Sequence, residues 1–265
     1  METPQGSLNP VEEEHRQYEL YLKNLPTVNY LTYNYLILET VPLCISLELE
    51  KQKNSAGSGE SLPSDIDTKY KSHHMLYRYM KLSPQQQENV LKRVKSIGFD
   101  LGSKLTDMLV FTKDPNFRFE HASSVLSQTS GSEMGAITTH RRVNTDLLSV
   151  MKFICRDVWR LLFNKQVDNL KTNHKGTFYL LDKNFEYFKN FAIEPSAKYY
   201  SNDLDNTTVM IQPYLEICTG LIKGVLNTLH ISGVADKDEI ICSYEFPKDM
   251  AVGTVSFSVF VPMSK

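Results

Sequence analysis

Apolar residues recur every three or four positions along several long stretches of this chain, and those stretches predict its helices. Val90, Val94, Ile97, Leu101, Leu105 and Met108 form one amphipathic stripe. The residues Ser83-Pro84-Gln85-Gln86 predict where that helix starts. Ser83 can cap it, Pro84 suits the first helical position, and Gln86 can reach back to the cap. A second stripe runs Leu147, Met151, Ile154, Val158 and Leu161 or Leu162, with Thr145 or Asp146 as its cap. A further helix is expected from about Pro213 to Leu229, and a short one from His74 to Met80. Four runs predict strands: Thr177 to Asp182, about Tyr187 to Ile193, about Glu239 to Phe246, and Thr254 to Val261. Helices, a hairpin, a helix and a second hairpin, in that order, predict an α+β fold with an antiparallel sheet of about four strands.

One helix stands apart. From about Val28 to Glu50 the pattern is helical but apolar nearly all the way round. One face carries Tyr30, Tyr33, Ile37 and Cys44; another carries Leu31, Tyr35, Leu38, Ile45 and Leu49. A helix apolar on both sides is either buried inside a larger core or covered by a second surface. Pro42 is expected to kink it, because proline removes a donor and crowds the preceding turn. Gly98 and Gly102 lie one turn apart in one predicted helix, and Gly220 and Gly224 repeat that spacing in a later one. Each glycine costs about 1 kcal/mol against alanine, so close backbone packing is the expected compensation.

Polar segments punctuate these elements. Residues 1–15 read as a disordered arm, and residues 16–265 as a single domain with flexible loops near 51–68, 112–144 and 195–210.

Composition narrows the function. A formal charge of −2 gives no field for nucleic-acid or anionic-membrane binding. Cys44, Cys155, Cys218 and Cys242 lie far apart with no C-x-x-C spacing, as expected of buried thiols in a reducing compartment. The polar start predicts no signal peptide, and no stretch approaches eighteen uninterrupted apolar residues, so a soluble cytosolic protein is expected. Phosphate-loop, dinucleotide, nucleophile-elbow and zinc-protease motifs are absent, so no catalytic residue, metal or cofactor is expected. Cys155 reads as a buried structural thiol, and Asp236-Lys237-Asp238-Glu239 as a solvated turn. The turn Lys171-Thr172-Asn173-His174-Lys175-Gly176 could hold an anion, meet a protein, or simply be solvated. Arg156, Asp157 and Arg160 suggest an exposed ion-paired face, and Trp159 is either a core residue or an interface anchor.

The run from Met151 to Asp182, MKFICRDVWRLLFNKQVDNLKTNHKGTFYLLD, adds a resemblance. It is similar to the thirty-three-kilodalton, or subunit-six, family of small TRAPP (transport protein particle) subunits, in the Bet-three-like superfamily. VKSIGFDLGSKLTDMLVF resembles that family's second long helix and YLEICTGLIKGVLNTL its last. TRAPP is a vesicle tether that loads GTP onto Golgi Rab GTPases. The resemblance implies helices packed on one face of a twisted antiparallel sheet. It also implies a non-catalytic scaffold that works in ER-to-Golgi and intra-Golgi traffic. Such a chain is cytoplasmic, peripheral at Golgi membranes, and reaches Rab and membrane only through the complex.

Pairing with the Bet-three subunit is implied to use the first helix, through Tyr30, Tyr33, Leu36, Ile37 and Cys44. Other TRAPP subunits, including those of the larger form, are implied partners, and from the residues themselves Arg156, Trp159, Arg160, Lys171 and Lys175 are candidate secondary contacts. Two features depart from the family. Residues 120–144 look like an insertion, and Thr112 to Glu120 lacks the cysteine that is acylated in the Bet-three subunit. A small-molecule or acyl-chain binding module of the same fold is the alternative reading.

Overall fold

The computed structural model describes residues 28–56, 71–112, 146–191, 200–229, 231, 234, 239–247 and 249–262. The expected arm, the insertion at 120–144 and the turn at 236–238 lie outside them, as do most of the expected loops. Among the described residues three helices come first: α1 (Tyr30–Ala56), α2 (Lys71–Met80) and α3 (Pro84–Thr112). The next helix begins as α4 (Leu147–Phe153), widens through a π-helical turn, Ile154–Val158, and closes as α5 (Trp159–Phe163). Strands β1 (Asn169–Thr172) and β2 (Thr177–Asp182) follow, then a 3-10 turn, Glu186–Asn190. The long helix α6 (Tyr200–Thr228) precedes β3 (Ile241–Glu245) and β4 (Val255–Phe260).

The sheet runs β1-β2-β4-β3 with every pair antiparallel. Phe178, Leu180, Phe257 and Val259 are buried on one face, whereas their neighbours Tyr179 and Phe260 are exposed on the other. One side of the sheet is therefore covered by helices and the other is open, which is the expected α+β arrangement.

Local chemistry explains the helix starts. Ser83 N–H donates to Gln86 Oε1 at 3.0 Å and Gln86 N–H donates back to Ser83 Oγ at 3.4 Å, the reciprocal cap that the sequence predicts. Asp146 caps α4 by accepting from Ser149 N–H at 3.3 Å. At the other end Asn164 ends α5 in the left-handed region, with φ 53°.

The four glycines set the centre of the fold. A Cβ on Gly98 would sit 2.1 Å from the Ile217 carbonyl oxygen, and one on Gly102 would sit 2.2 Å from that of Leu221. The relation is mutual, since a Cβ on Gly220 or Gly224 would meet the Lys95 or Phe99 carbonyl oxygen at 2.1 Å. Both residue series ascend together, so α3 and α6 run parallel with their backbones in contact. Lys95 Nζ to Glu216 Oε2 (2.9 Å) and Ser103 Oγ to Thr228 Oγ1 (2.8 Å) lie along the same seam. The apolar stretch of α6 is long enough to cross a membrane, but it is mostly buried as a core helix.

The same core continues where α5 meets the sheet. Trp159 is wholly buried, with its ring 5.5 Å from that of Phe257, and its Nε1 donates to Asp182 Oδ2 at 2.9 Å. The buried Asp182 carboxylate also accepts from Lys165 Nζ and from Asn184 N–H. These three donors offset the cost of taking a charge out of water.

Three expectations are corrected. The run from Tyr187 is no strand, because the aromatics pack three apart: Phe188 N–H bonds to Phe185 O and Phe191 N–H to Phe188 O, each at 3.1 Å. The partner of β2 is instead the polar β1, where Leu170 pairs with Leu180. Helix α6 begins at Tyr200, so the expected loop at 195–210 is helical from there and Pro213 lies inside it. Helix α1 likewise runs on to Ala56, into the segment expected to be a loop.

Two tests follow from this packing. Gly98→Ala or Gly220→Ala lowers stability by about 2 kcal/mol or more in denaturant melts, even though alanine is the better helix former by about 1 kcal/mol. Tyr79→Phe, which removes a buried hydroxyl with no hydrogen-bond partner among the described residues, leaves the melting point unchanged or raises it.

Candidate protein–protein interface

Helix α1 is fixed by its inward side. Val41, Cys44 and Ile45 are buried, and Glu48 beside them is nearly so. The Glu48 carboxylate accepts from Asn89 Nδ2 at 2.8 Å and pairs with Arg93 Nη2 at 3.3 Å. Arg93 Nη1 also donates to the Cys44 carbonyl at 3.0 Å, so α3 holds α1 by side chains as well as by packing. Pro42 cannot donate to the carbonyl four residues back, that of Leu38. The Tyr214 hydroxyl donates to that carbonyl instead, at 3.0 Å. The proline that breaks the helical ladder thus creates the acceptor that ties α1 to α6.

The outward side is apolar and uncovered among the described residues. Leu36, Leu43 and Leu47 are 67%, 57% and 40% exposed. With Thr40 they repeat at four, three and four residues, the spacing of a seam that meets another helix. Leu36, Thr40, Leu43 and Met75 line an open groove of about 380 Å³. The groove's hydroxyls are already used inside α1: Thr40 Oγ1 donates to Leu36 O at 2.9 Å and Ser46 Oγ to Leu43 O at 2.8 Å. Glu39 also lines the groove, so its wall is apolar with one carboxylate at the edge.

The first-helix candidates divide between the two sides. Tyr30 and Leu36 are exposed. Tyr33 and Ile37 are half-buried against the core. Cys44 is buried and faces α3, a correction whose cause is helical phase: at about 100° per residue it lies roughly 80° round from Leu36. The sequence reading passes over Leu43, Leu47 and Met75. Their signal is the four-three-four repeat, which the surrounding apolar residues hide.

Of the secondary candidates only Arg156 and Arg160 share a surface. Trp159 is wholly buried, so it is a core residue and not an anchor. Arg156 and Arg160 are exposed on the helical side of the sheet. Lys171 pairs with Tyr179 on the sheet's open face, and Lys175 lies in the β1–β2 turn. That turn joins two strands, where the sequence places it between helix and strand. Asn173 Oδ1 accepts from Lys175 N–H (2.8 Å) and Thr177 N–H (3.1 Å), and Thr172 Oγ1 accepts from His174 N–H (3.1 Å). The backbone donors of Asn173, His174 and Lys175 are thus spent within the turn.

The four cysteines are free and buried. Burial pushes the Cys155 thiol up to about 12, and Cys242 likewise to about 12. Burial also raises Cys44, and raises Cys218 well above the usual thiol range. Among the described residues no grouping of histidine, cysteine, aspartate and glutamate could hold a metal ion.

Comparison with known proteins gives a consistent picture. The family described as transport protein particle (TRAPP) component matches residues 33–261. Human trafficking protein particle complex subunit 6B is 37% identical over 89 residues, which cover 34% of this chain and 50% of that protein. The mouse subunit 6B is 30% identical over 160 residues, 60% of this chain and 77% of that protein. An uncharacterized protein of Schizosaccharomyces pombe is 24% identical over 206 residues, 78% of this chain and 57% of that protein. The chain thus spans about half the length of the human relative it matches.

Three outcomes are expected from this geometry. Leu36→Glu with Leu43→Glu changes stability by no more than about 0.5 kcal/mol, read as an unshifted melting point, because both side chains are exposed. Tyr214→Phe strips the Leu38 carbonyl of its donor and costs about 1–3 kcal/mol in a denaturant melt. A thiol reagent at mildly alkaline pH labels the four cysteines only as fast as the protein opens, with full labelling after denaturation.

Proposed function

The chain belongs to the family of transport protein particle (TRAPP) components, and from that membership we propose that it is a structural subunit of the TRAPP vesicle-tethering complex. In this reading it pairs with the Bet-three subunit through the outward side of α1 and the adjoining groove. It contributes no catalytic residue. Its part is to support assembly of the exchange factor that acts on Golgi Rab GTPases, at the cytoplasmic side of Golgi and ER–Golgi membranes.

The observation that carries this reading is the exposed leucine row of α1. Leu36, Leu43 and Leu47 face away from a core that is already closed beneath them. Exposed apolar rows of this kind mark association surfaces, since scattered single residues are ordinary but aligned ones are not. The helical repeat fits a partner helix laid along α1, with one large apolar side chain entering the groove beside Met75.

The test is light scattering on a sizing column, with the chain alone and then co-expressed with the Bet-three subunit. A stable one-to-one species is expected with the natural sequence. Leu36→Glu with Leu43→Glu abolishes that species while the variant chain stays folded. A monomer that ignores the partner overturns the reading. Tyr33 and Ile37 serve this test less well, since charges there would also disturb the core they pack against.

A further inference from the structure

The helix formed by α4 and α5 is enclosed by the sheet and the other helices on most sides. Its solvent side carries Leu148, Lys152, Arg156 and Arg160, each four residues after the last, with Leu161 beside the final one. In an α-helix, positions four apart drift round by about 40°. The π turn at Ile154–Val158 is wider, closed by i→i+5 bonds, and takes up much of that drift. The three cations therefore lie nearly in line, spanning about 12 Å by helix rise. Asp157 bonds to Arg156 at 3.1 Å, while Lys152 and Arg160 have no ion pair among the described residues.

Like charges four apart on a helix repel one another. Helix α3 displays the usual solution, with Glu88 pairing Lys92 at 2.8 Å. A ridge that served only to keep a core helix wet would gain from the same alternation. Here Asp157 answers Arg156 alone, and Lys152 and Arg160 at the two ends have no ion pair among the described residues, although the chain as a whole carries a formal charge of −2.

We propose that Lys152, Arg156 and Arg160 form a docking ridge for an acidic segment of a partner subunit, one whose carboxylates recur about once per helical turn. The proposal rests on the subunit reading above and concerns a surface separate from α1. Charge complementarity names the occupant. A single line of cations along one helix matches another helix better than the plane of an anionic bilayer. Leu148 and Leu161, 40% and 45% exposed near the two ends, supply apolar contacts that such a helix can use.

The test is fluorescence anisotropy of a labelled helical peptide with glutamate at every fourth position, titrated with the full-length chain. Expected are binding that weakens as salt rises and a loss of about tenfold or more in Lys152→Gln/Arg156→Gln/Arg160→Gln, whose melting point is no lower. Equal binding by the triple variant, or none by the natural chain, overturns the proposal. So does binding of phosphatidylserine vesicles in place of the peptide, which would make the ridge a membrane contact. A chain that binds the peptide through the ridge yet never pairs through α1 sinks the subunit reading and leaves the ridge standing. The reverse sinks the ridge alone.

Discussion

The contact that positions the rest of this fold is backbone against backbone. At the crossing of α3 and α6, glycine faces backbone carbonyl four times, with gaps that a single methyl group would overfill. The two helices are among the longest described, and they come from distant parts of the chain. Their separation fixes where the sheet can lie, since β3 packs on α6, and where α1 can lie, since α3 and α6 both hold it. Glycine is a poor helix former, so the sequence gives up local helix stability to gain this approach. A seam of this kind is unforgiving, because interiors are packed to crystal density and backbones cannot yield as side chains do.

Helix α1 shows how polar groups and proline can settle an orientation that hydrophobicity leaves open. Its residues are apolar on nearly every side, so burial alone would accept several rotations. Glu48 and the Leu38 carbonyl decide between them. Each is expensive to bury without a partner, and only one rotation gives Glu48 its Arg93 and Asn89 and gives Leu38 its tyrosine. The leucine row is left outside as a consequence.

Much of the fold was legible in the sequence where the determinants are local. The Ser83–Gln86 cap and the paired glycines each depend on residues a turn apart and are where the pattern puts them, and of the two caps it offers for α4, Thr145 and Asp146, the second is used. The misreadings share a different cause. Asn169–Thr172 is polar and becomes a strand only because β2 offers it an edge. The aromatics after Phe185 alternate well enough to suggest a strand, but they reach the α6 side of the core only when a 3-10 turn sets them three apart. The same limit applies to the interface. Sequence identified α1 as the helix with apolar residues to spare; which of them face outward depends on contacts from α3 and α6 that no local pattern records.

The Asp182 carboxylate has a further consequence, for the order of assembly. It closes a loop of short reach: Trp159 and Lys165, its two side-chain donors, lie 23 and 17 residues before it, and the hairpin between them is shorter still. The glycine seam instead joins residues such as Ser103 and Thr228, 125 positions apart. Closing a short loop loses less chain entropy than closing a long one. The α5-to-β2 segment is thus the part of the chain equipped to organise first, as a seed on which the distant helices later converge.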